Sequence, residues 1–127
     1  TQFGIRTHAP ETCGLEIIHG YEMDELGIGG VTDRIKARVG NGPAYMTFDI
    51  DCLDPAFAPG TGTPVSGGLS SREALSVLRG LGSLNFVGGD VVEVAPAYDH
   101  ADITSIAGAS VALTYIGLLA EKRKQAG

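Results

Sequence analysis

Apolar residues recur along the chain in short runs that glycine, proline and polar residues separate. The runs with strand character are 1–6, 15–19, 44–51 and 85–94. The segments with helical character are 32–39, 71–80 and 103–124. Strands and helices alternate, and the strands are not joined as hairpins, which predicts a parallel sheet with helices on its faces. We therefore expect an α/β fold whose chemistry lies at the carboxyl ends of its strands.

Capping signals place the ends of the predicted helices. Thr32 is the expected N-cap of the first helix, and Gly40 follows its last residue. Ser70 and Glu73 have the spacing of a capping box at the start of the second helix. Asp102 is the expected cap of the third helix, whose basic end suits the helix dipole.

The third helical segment is apolar enough that a transmembrane helix has to be considered. Residues 103–120 carry no charged side chain, and eighteen apolar residues are the threshold for a transmembrane helix. The segment also contains serine, threonine, glycine and many alanines, which lower its hydropathy. We expect a buried packing helix and no membrane partner.

Composition and charge narrow the class of protein. The chain has 127 residues, which favours one domain, and a net charge of −6 from 9 basic and 15 acidic residues. An acidic chain without a basic patch argues against a nucleic-acid partner. Cys13 and Cys52 lie far apart and lack metal-ligand spacing, so we expect free thiols in a reducing compartment, the cytoplasm.

Three carboxylates crowd the end of the third predicted strand. Asp49 and Asp51 are expected to share one face of that strand, where two ionised carboxylates repel each other. No lysine or arginine occurs in 39–71 to neutralise them. A shared proton or a hard divalent cation would relieve the repulsion. The alternative is a set of acids that cap a turn, and Asp54 before Pro55 suits that role.

A neutral, stiff loop follows these carboxylates. Residues 55–68 include no charged side chain. They contain three prolines and four glycines. Proline removes backbone freedom and glycine lets the backbone pass close to a ligand, which suits a loop that holds ligands still. An ordinary irregular connection is the alternative.

Two stretches resemble a known family. "TFDIDCLDPAFAPGTGTPVSGG" at 47–68 and "GGDVVEVAPAYD" at 88–99 resemble the C-terminal part of the ureohydrolases, the arginase/agmatinase family, and are most similar to its agmatinase branch. The resemblance covers essentially the whole chain. It implies a three-layer α/β/α fold with a parallel sheet, of which residues 1–127 would be the C-terminal segment of a single domain.

The resemblance also implies an activity. Members of this family use two Mn²⁺ ions to hydrolyse a guanidino group to urea and an amine, and the agmatinase branch converts agmatine to putrescine and urea in polyamine biosynthesis. Guanidinobutyrase-type enzymes and proclavaminate amidinohydrolase are the nearest alternatives. The resemblance further implies a small guanidino substrate and a homo-oligomer, a trimer or hexamer.

Residue roles follow from the resemblance by position. It makes Asp49 the carboxylate that contacts both metals and Asp51 a ligand of one metal. Glu93 would bind the substrate guanidinium, and Thr63 would lie beside it, with a hydrogen bond that orders the loop as the alternative role of Thr63. No catalytic residue beyond the metal ligands is expected in this segment.

The chain departs from the family pattern in its ligand count. The family has six protein ligands, four of them upstream in a histidine and an Asp-Ala-His-x-Asp stretch, and neither occurs here. The three histidines are isolated, at positions 8, 19 and 100. We therefore expect the isolated segment to be inactive, and a non-catalytic, truncated subunit is a competing hypothesis. Haloacid-dehalogenase-type phosphotransfer also uses Asp-x-Asp, but its motif does not continue as Cys52-Leu53-Asp54-Pro55.

Four other residues receive structural interpretations. Asp90 is expected to form a structural hydrogen bond within its strand, and His100 to lie on a solvated loop. Cys52 has no histidine partner placed for it, so we expect a small buried side chain and not a nucleophile. Arg6 is expected in a structural salt bridge.

Overall fold

A computed structural model describes residues 1–5 and 14–126 as four strands, three helices and three short 3₁₀ turns. The strands are β1 (Gln2–Ile5), β2 (Ile17–His19), β3 (Pro43–Asp49) and β4 (Asn85–Val92). The helices are α1 (Met23–Val39), α2 (Ser71–Gly80) and α3 (Ile103–Ala126). The 3₁₀ turns are Gly20–Glu22, Ile50–Cys52 and Pro96–Tyr98. Expectations for Arg6, His8 and Cys13 fall outside the described residues.

The strands pair in parallel, as the alternation of elements predicts. β1 pairs with β2, and β3 pairs with β4, so the described residues form two separate two-stranded sheets. At the carboxyl end of the second sheet Asp49 lies opposite Val92. The α/β class and the parallel arrangement are therefore confirmed.

The third strand is shorter than its apolar pattern indicates. β3 ends at Asp49, and the chain turns at once into the 3₁₀ segment Ile50–Cys52. The prediction that Asp51 lies on the strand, on the same face as Asp49, is therefore wrong. The turn forms because the Asp49 carboxylate accepts the N–H of Asp51, while the side chain of Ile50 is fully buried.

The first helix is longer than its pattern indicates. α1 begins at Met23, and Thr32 is an interior residue whose hydroxyl donates to the carbonyl of Gly29, so the predicted N-cap is wrong. The glycines of this segment lower its intrinsic helix propensity and hide its first half from the sequence pattern. Gly27 has φ 62° and ψ 177°, which kinks the helix. The other end agrees with the prediction, because Gly40 has φ 65° and ends the helix.

A salt-bridge cluster ties the second half of α1 to the segment before the helix. Arg34 Nη1 lies 2.9 Å from Glu22 Oε1, and Arg34 Nη2 lies 3.1 Å from Glu16 Oε1. These contacts join residues twelve and eighteen positions apart, so the local sequence pattern does not contain them. Tertiary pairing therefore anchors the helix to the segment that precedes it.

The second helix has the predicted capping box. Ser70 Oγ accepts the N–H of Glu73 at 3.2 Å, and Glu73 Oε2 accepts the N–H of Ser70 at 2.8 Å. These reciprocal bonds satisfy two donors that the helix itself leaves without partners.

The third helix is capped by a different residue from the one predicted. The carboxylate of Asp99 accepts the N–H groups of Thr104 and Ser105 at 2.9 and 3.0 Å. Asp102 has φ 58° and lies in the turn before the helix. Burial alone raises the pKa of the Asp99 carboxyl, but the hydrogen bonds from Thr104 and Ser105 outweigh it and hold the pKa well below its usual range. The sequence pattern points to Asp102 because it is adjacent, whereas the loop folds Asp99 back under the helix.

The helices form one layer against the strands. α1 contacts α2, and α2 contacts α3, and their buried side chains make one core with β3 and β4. The fully buried side chains of this core include Ile18, Val31, Ile50, Leu53 and Val111. The opposite face of β3 is exposed, and Tyr45 on that face is 63% accessible. The structure thus describes two of the three predicted layers.

α3 packs into the core on one side only. Val111 and Tyr115 are buried between α3 and its neighbours. Ile106, Leu113 and Ile116 are 61, 71 and 60% exposed, so the expected burial of the whole helix is wrong for this face of the described chain. By length and composition alone α3 meets the criteria for a membrane span, although part of it packs as a core helix.

The loop between β3 and α2 is closed at its base. Asp54 N–H donates to the carbonyl of Leu69, and Leu69 N–H donates to that of Cys52. The Asp54 carboxylate accepts the N–H groups of Ala56 and Gly67 at 2.9 and 2.8 Å. Asp54 therefore has the turn-capping role that we considered as the alternative for this group of acids.

The middle of the loop is pinned to the start of α3. Gly60 N–H donates to the buried hydroxyl of Thr104 at 2.7 Å, and the Gly60 carbonyl accepts the N–H of Ala95. A Cβ at Gly60 would lie 2.7 Å from Cβ and 2.8 Å from Cα of Asp99. Only glycine fits this close approach, while a Cβ at Gly62 would meet nothing within 4 Å.

We expect Gly60→Ala to destabilise the chain by about 1–3 kcal/mol, because it overpacks the contact with Asp99. Gly62→Ala is the matched control and should be neutral or stabilising by about 0.5 kcal/mol, because it reduces only the freedom of the unfolded chain. Urea denaturation of the two variants measures the difference. Equal midpoints would show that the loop does not need its close approach at Gly60.

Candidate active site

The predicted site residues meet at the carboxyl ends of β3 and β4. Asp49 is the last residue of β3, and its partner Val92 is the last residue of β4. Glu93 follows immediately, so parallel pairing brings the carboxylates of Asp49 and Glu93 to the same edge. A separation of forty-four positions in sequence becomes one strand spacing of about 5 Å in the sheet.

Asp51 reaches this edge through the 3₁₀ turn. Its N–H donates to Asp49 Oδ1 at 3.0 Å, which fixes the two residues relative to each other. The sequence pattern predicts the proximity of these acids correctly but assigns it to a shared strand face. In the structure a backbone turn achieves it.

Thr63 connects the neutral loop to this pair. Its hydroxyl donates to Asp51 Oδ2 at 3.0 Å, across twelve residues of chain. This is the loop-ordering hydrogen bond that we considered as the alternative role of Thr63. The loop thereby lies over the carboxylates, and Thr63 itself is exposed at the same edge.

The surroundings of Asp49 disfavour the ionised form of its carboxyl. Loss of water around the carboxyl raises the pKa of Asp49, and the negative charges of Asp51 and Glu93 raise it further. The N–H of Asp51 opposes this shift in part.

Glu93 has a backbone conformation that the sequence pattern does not reveal. Its φ is 64°, in the left-handed region that side-chain-bearing residues rarely occupy. Such a conformation costs on the order of 1 kcal/mol or more and persists where the surrounding structure imposes it. The strained residue is the acid that follows β4, at the edge where the other carboxylates lie, which is typical of functional positions.

Comparison with known proteins identifies the family. The model of the arginase family matches residues 1–117. This chain belongs to the arginase family.

Relatives within the arginase family are similar over nearly the whole chain. An agmatinase from Photorhabdus laumondii is 52% identical over 123 residues, which cover 97% of this chain and 40% of that protein. The crystal structure of a hypothetical agmatinase from Burkholderia thailandensis has a TM-score of 0.92 at 53% identity, over 99% of this chain and 39% of that one. A proclavaminate amidinohydrolase from Streptomyces clavuligerus has a TM-score of 0.88 at 48% identity, over 92% and 41% of the two chains.

The chain spans about two-fifths of the length of these arginase-family relatives. The arginase-like α/β fold predicted from the sequence is therefore confirmed for the part that is present.

The carboxylate oxygens at this edge are of the type that binds a divalent metal, but the described residues supply too few of them for a complete site. Carboxylate oxygens are hard ligands of the type that Mg²⁺ and Mn²⁺ prefer, and Asp49 and Asp51 offer them at one edge. Within residues 1–5 and 14–126, no group of three or more His, Cys, Asp or Glu side chains is arranged to hold a metal ion. The chain alone thus fits a partial ligand set.

Other residues considered from the sequence lie outside the group. Asp90 accepts a hydrogen bond from the Tyr45 hydroxyl at 2.9 Å, as expected for a structural role. His100 is exposed, and its N–H donates to Asp99. Cys52 is partly buried beside the acids. The sequence pattern does not predict Asp99 as the helix cap. Asp99 lies five residues before Thr104, which is not the usual spacing between an N-cap residue and the N–H that it accepts.

Proposed function

We propose that this chain is the part of a metal-dependent amidinohydrolase that supplies two metal ligands and the acid that binds the guanidino group. The substrate proposed is agmatine, hydrolysed to putrescine and urea. The observation that carries the proposal is the meeting of Asp49, Asp51 and Glu93 at one sheet edge under a fixed neutral loop. The similarity to agmatinases over 97% of the chain supports it.

The proposed ligands are Asp49 and Asp51. Both carboxylates lie at one edge, and Asp49 accepts the N–H of Asp51, so their oxygens are held close together where a cation could bind. Mn²⁺ is the proposed metal, two ions per complete site, and Asp49 would contact both. When bound, the metal pair supplies the Lewis acidity that makes water a nucleophile at neutral pH.

Glu93 is proposed to bind and orient the substrate. A guanidinium group is planar and cationic, and a carboxylate can accept two parallel N–H bonds from it. Its delocalised charge makes its carbon a poor electrophile, so a fixed orientation toward the attacking water is valuable. Addition of water to that carbon, followed by cleavage of the bond to the alkyl nitrogen and proton transfer to that nitrogen, gives urea and the amine.

Thr63 is proposed to act beside Glu93 through the loop. Its hydrogen bond to Asp51 at 3.0 Å keeps the loop over the acids. The loop carries no charge and so adds no competing partner for a cationic substrate.

The extent of the domain, the oligomeric state, the location and the alternative substrates are proposed from the same similarity to relatives. We infer that residues 1–127 form the C-terminal segment of one arginase-family domain, that the complete enzyme is a cytoplasmic homo-oligomer, and that other guanidino acids are the alternative substrates. The similarity to a proclavaminate amidinohydrolase, with a TM-score of 0.88, favours that alternative.

A non-catalytic subunit is the second candidate function. The observation that favours it is the ligand count: the described residues hold no group of three or more potential ligands. Urea release from agmatine by a polypeptide that carries the complete domain, with and without Mn²⁺, separates the two candidates.

We expect Asp49→Asn and Asp51→Asn, each placed in a polypeptide that carries the complete domain, to lower Mn²⁺ content and nearly abolish urea release. An amide oxygen is a weaker ligand than a carboxylate and does not neutralise the metal charge. Atomic absorption measures the metal, and Asp33→Asn on the exposed side of α1 is the control. Full metal content in either variant would remove that residue from the ligand set.

We expect Glu93→Gln in the same polypeptide to keep both metals but lose at least a hundredfold in kcat/KM for agmatine, because the amide cannot pair with the guanidinium charge. Glu121→Gln, at the exposed end of α3, is the matched control. Metal content and urea release are measured together. An unchanged kcat/KM would show that Glu93 is structural.

We expect the 127-residue chain alone to release no urea from agmatine, even with excess Mn²⁺. Two carboxylates bind Mn²⁺ weakly when water fills the remaining positions, and the nucleophile depends on the metal pair. The complete domain is the positive control. Urea release by soluble, monodisperse 127-residue protein would contradict both this expectation and the argument from ligand count.

A further inference from the structure

One buried hydroxyl connects three segments of the described chain. Thr104, the second residue of α3, is fully buried, and its hydroxyl accepts the N–H of Gly60 at 2.7 Å across forty-four positions of sequence. The carbonyl of Gly60 accepts the N–H of Ala95 at 2.8 Å. Through one glycine, Thr104 is therefore linked to the segment that follows β4 and contains Glu93.

Glu93 lies between two backbone anchors. On one side the pairing of β4 with β3 holds Val92 opposite Asp49. On the other side the N–H of Ala95 is bound to Gly60. Glu93 itself is exposed, and its φ of 64° is a conformation that persists only where the surrounding structure imposes it. The direction in which the Glu93 side chain leaves the backbone therefore depends on both anchors.

The second anchor depends on the hydroxyl of Thr104. The bond between this hydroxyl and the Gly60 N–H is buried, so water does not replace it easily. A buried N–H without a partner is costly, and native structures almost always pair it. The N–H of Thr104 also donates to the Asp99 carboxylate at 2.9 Å, which fixes the backbone from which the hydroxyl extends.

We propose that Thr104 is a positioning residue for Glu93. Its hydroxyl holds Gly60, Gly60 holds Ala95, and this link aims the Glu93 carboxylate at the guanidino group of the substrate. Thr104 is fully buried and acts through the backbone, without touching substrate. This role rests on the proposed amidinohydrolase function and adds to it a residue that lies outside the group of carboxylates.

A second contact also holds the segment after β4. Val94 packs on α3, where a Cβ added at Gly108 would lie 3.4 Å from Val94 Cγ2. If this contact alone fixed Glu93, loss of the Thr104 hydroxyl would lower stability and leave catalysis intact. The experiment therefore has to separate the aim of Glu93 from the stability of the fold.

The main variant is Thr104→Val in a polypeptide that carries the complete domain. Valine has nearly the shape of threonine but no acceptor, so Gly60 loses its partner. We expect kcat/KM for agmatine to fall about tenfold, mainly through kcat, because a misaimed Glu93 still attracts the cation but orients it poorly. Mn²⁺ content should equal that of the parent protein, since Thr104 is not a proposed ligand.

Two further variants serve as controls. Thr104→Ser keeps the hydroxyl and should restore most of the rate. Thr114→Val removes a hydroxyl from the same helix, one that donates to the Ser110 carbonyl within α3 at 2.8 Å, and should leave kcat and KM unchanged. If Thr104→Val does not fold, Thr104→Ala, which also lacks the hydroxyl but leaves room for water, takes its place.

A double-mutant cycle assigns the effect to Glu93. In the Glu93→Gln background, Thr104→Val should lower kcat/KM by less than about twofold, because the carboxylate that Thr104 positions is already gone. Thr104→Val would lower the rate by the same factor in both backgrounds if it acted on the metal ligands or on stability alone.

Hydrogen exchange provides a readout that needs no activity. In Thr104→Val the amides of Gly60 and Ala95 should exchange about tenfold faster, because the bonds that protect them open more often, while Thr114→Val should match the parent. A complete domain that releases no urea from agmatine, yet shows this faster exchange, would retain the anchor but overturn the proposed function, and with it the positioning of substrate.

Four results would overturn the role of Thr104 itself. They are unchanged exchange at Ala95 in folded Thr104→Val, a parental kcat/KM in that variant, equal losses in Thr104→Val and Thr104→Ser, and equal losses with and without the Glu93 carboxylate. Each of these is read from a comparison in which the parent protein is active, so none of them is mistaken for failure of the proposed function.

Discussion

The parallel pairing of β3 with β4 is the interaction on which the site depends. It sets Asp49 opposite Val92 and so brings Glu93 to the edge where Asp49 and Asp51 already lie. A shift of one residue in this register would turn every side chain of the strand to the other face. The helix layer holds β4 in place, because Phe86 of β4 packs edge-on against Tyr115 of α3 in the core, with ring centroids 5.3 Å apart.

The crowded charge and the neutral loop are two parts of one arrangement. Burial raises the pKa of the Asp49 carboxyl, and the charges of Asp51 and Glu93 raise it further. The loop provides that support at three places: Asp54 closes its base, Thr63 bonds to Asp51, and Gly60 packs on Asp99. These contacts keep the acids in place, which is what the proposed metal site requires of its ligands.

Elsewhere in the described chain, strand faces, strand edges and two buried polar atoms lack the partners that they usually have in a parallel sheet. Parallel strands are normally covered on both faces and paired on both edges, because their backbone groups and apolar side chains both need partners. Here the helices cover one face, Tyr45 stands exposed on the other, and β1 and β3 border an apolar groove. Buried Asp90 Oδ1 and the Tyr115 hydroxyl also lack hydrogen-bond partners within the described residues. These features agree with a chain that spans two-fifths of its relatives.

The sequence by itself determined the α/β class, the capping box at Ser70 and Glu73, and the crowding of Asp49 and Asp51, because periodicity, caps and close spacing are local properties. Tertiary structure alone decided the rest. It began α1 at Met23, ended β3 at Asp49 through a buried Ile50, and capped α3 with Asp99. It also placed Glu93 beside Asp49, since only strand pairing brings residues forty-four positions apart to one edge, and no local pattern encodes that contact.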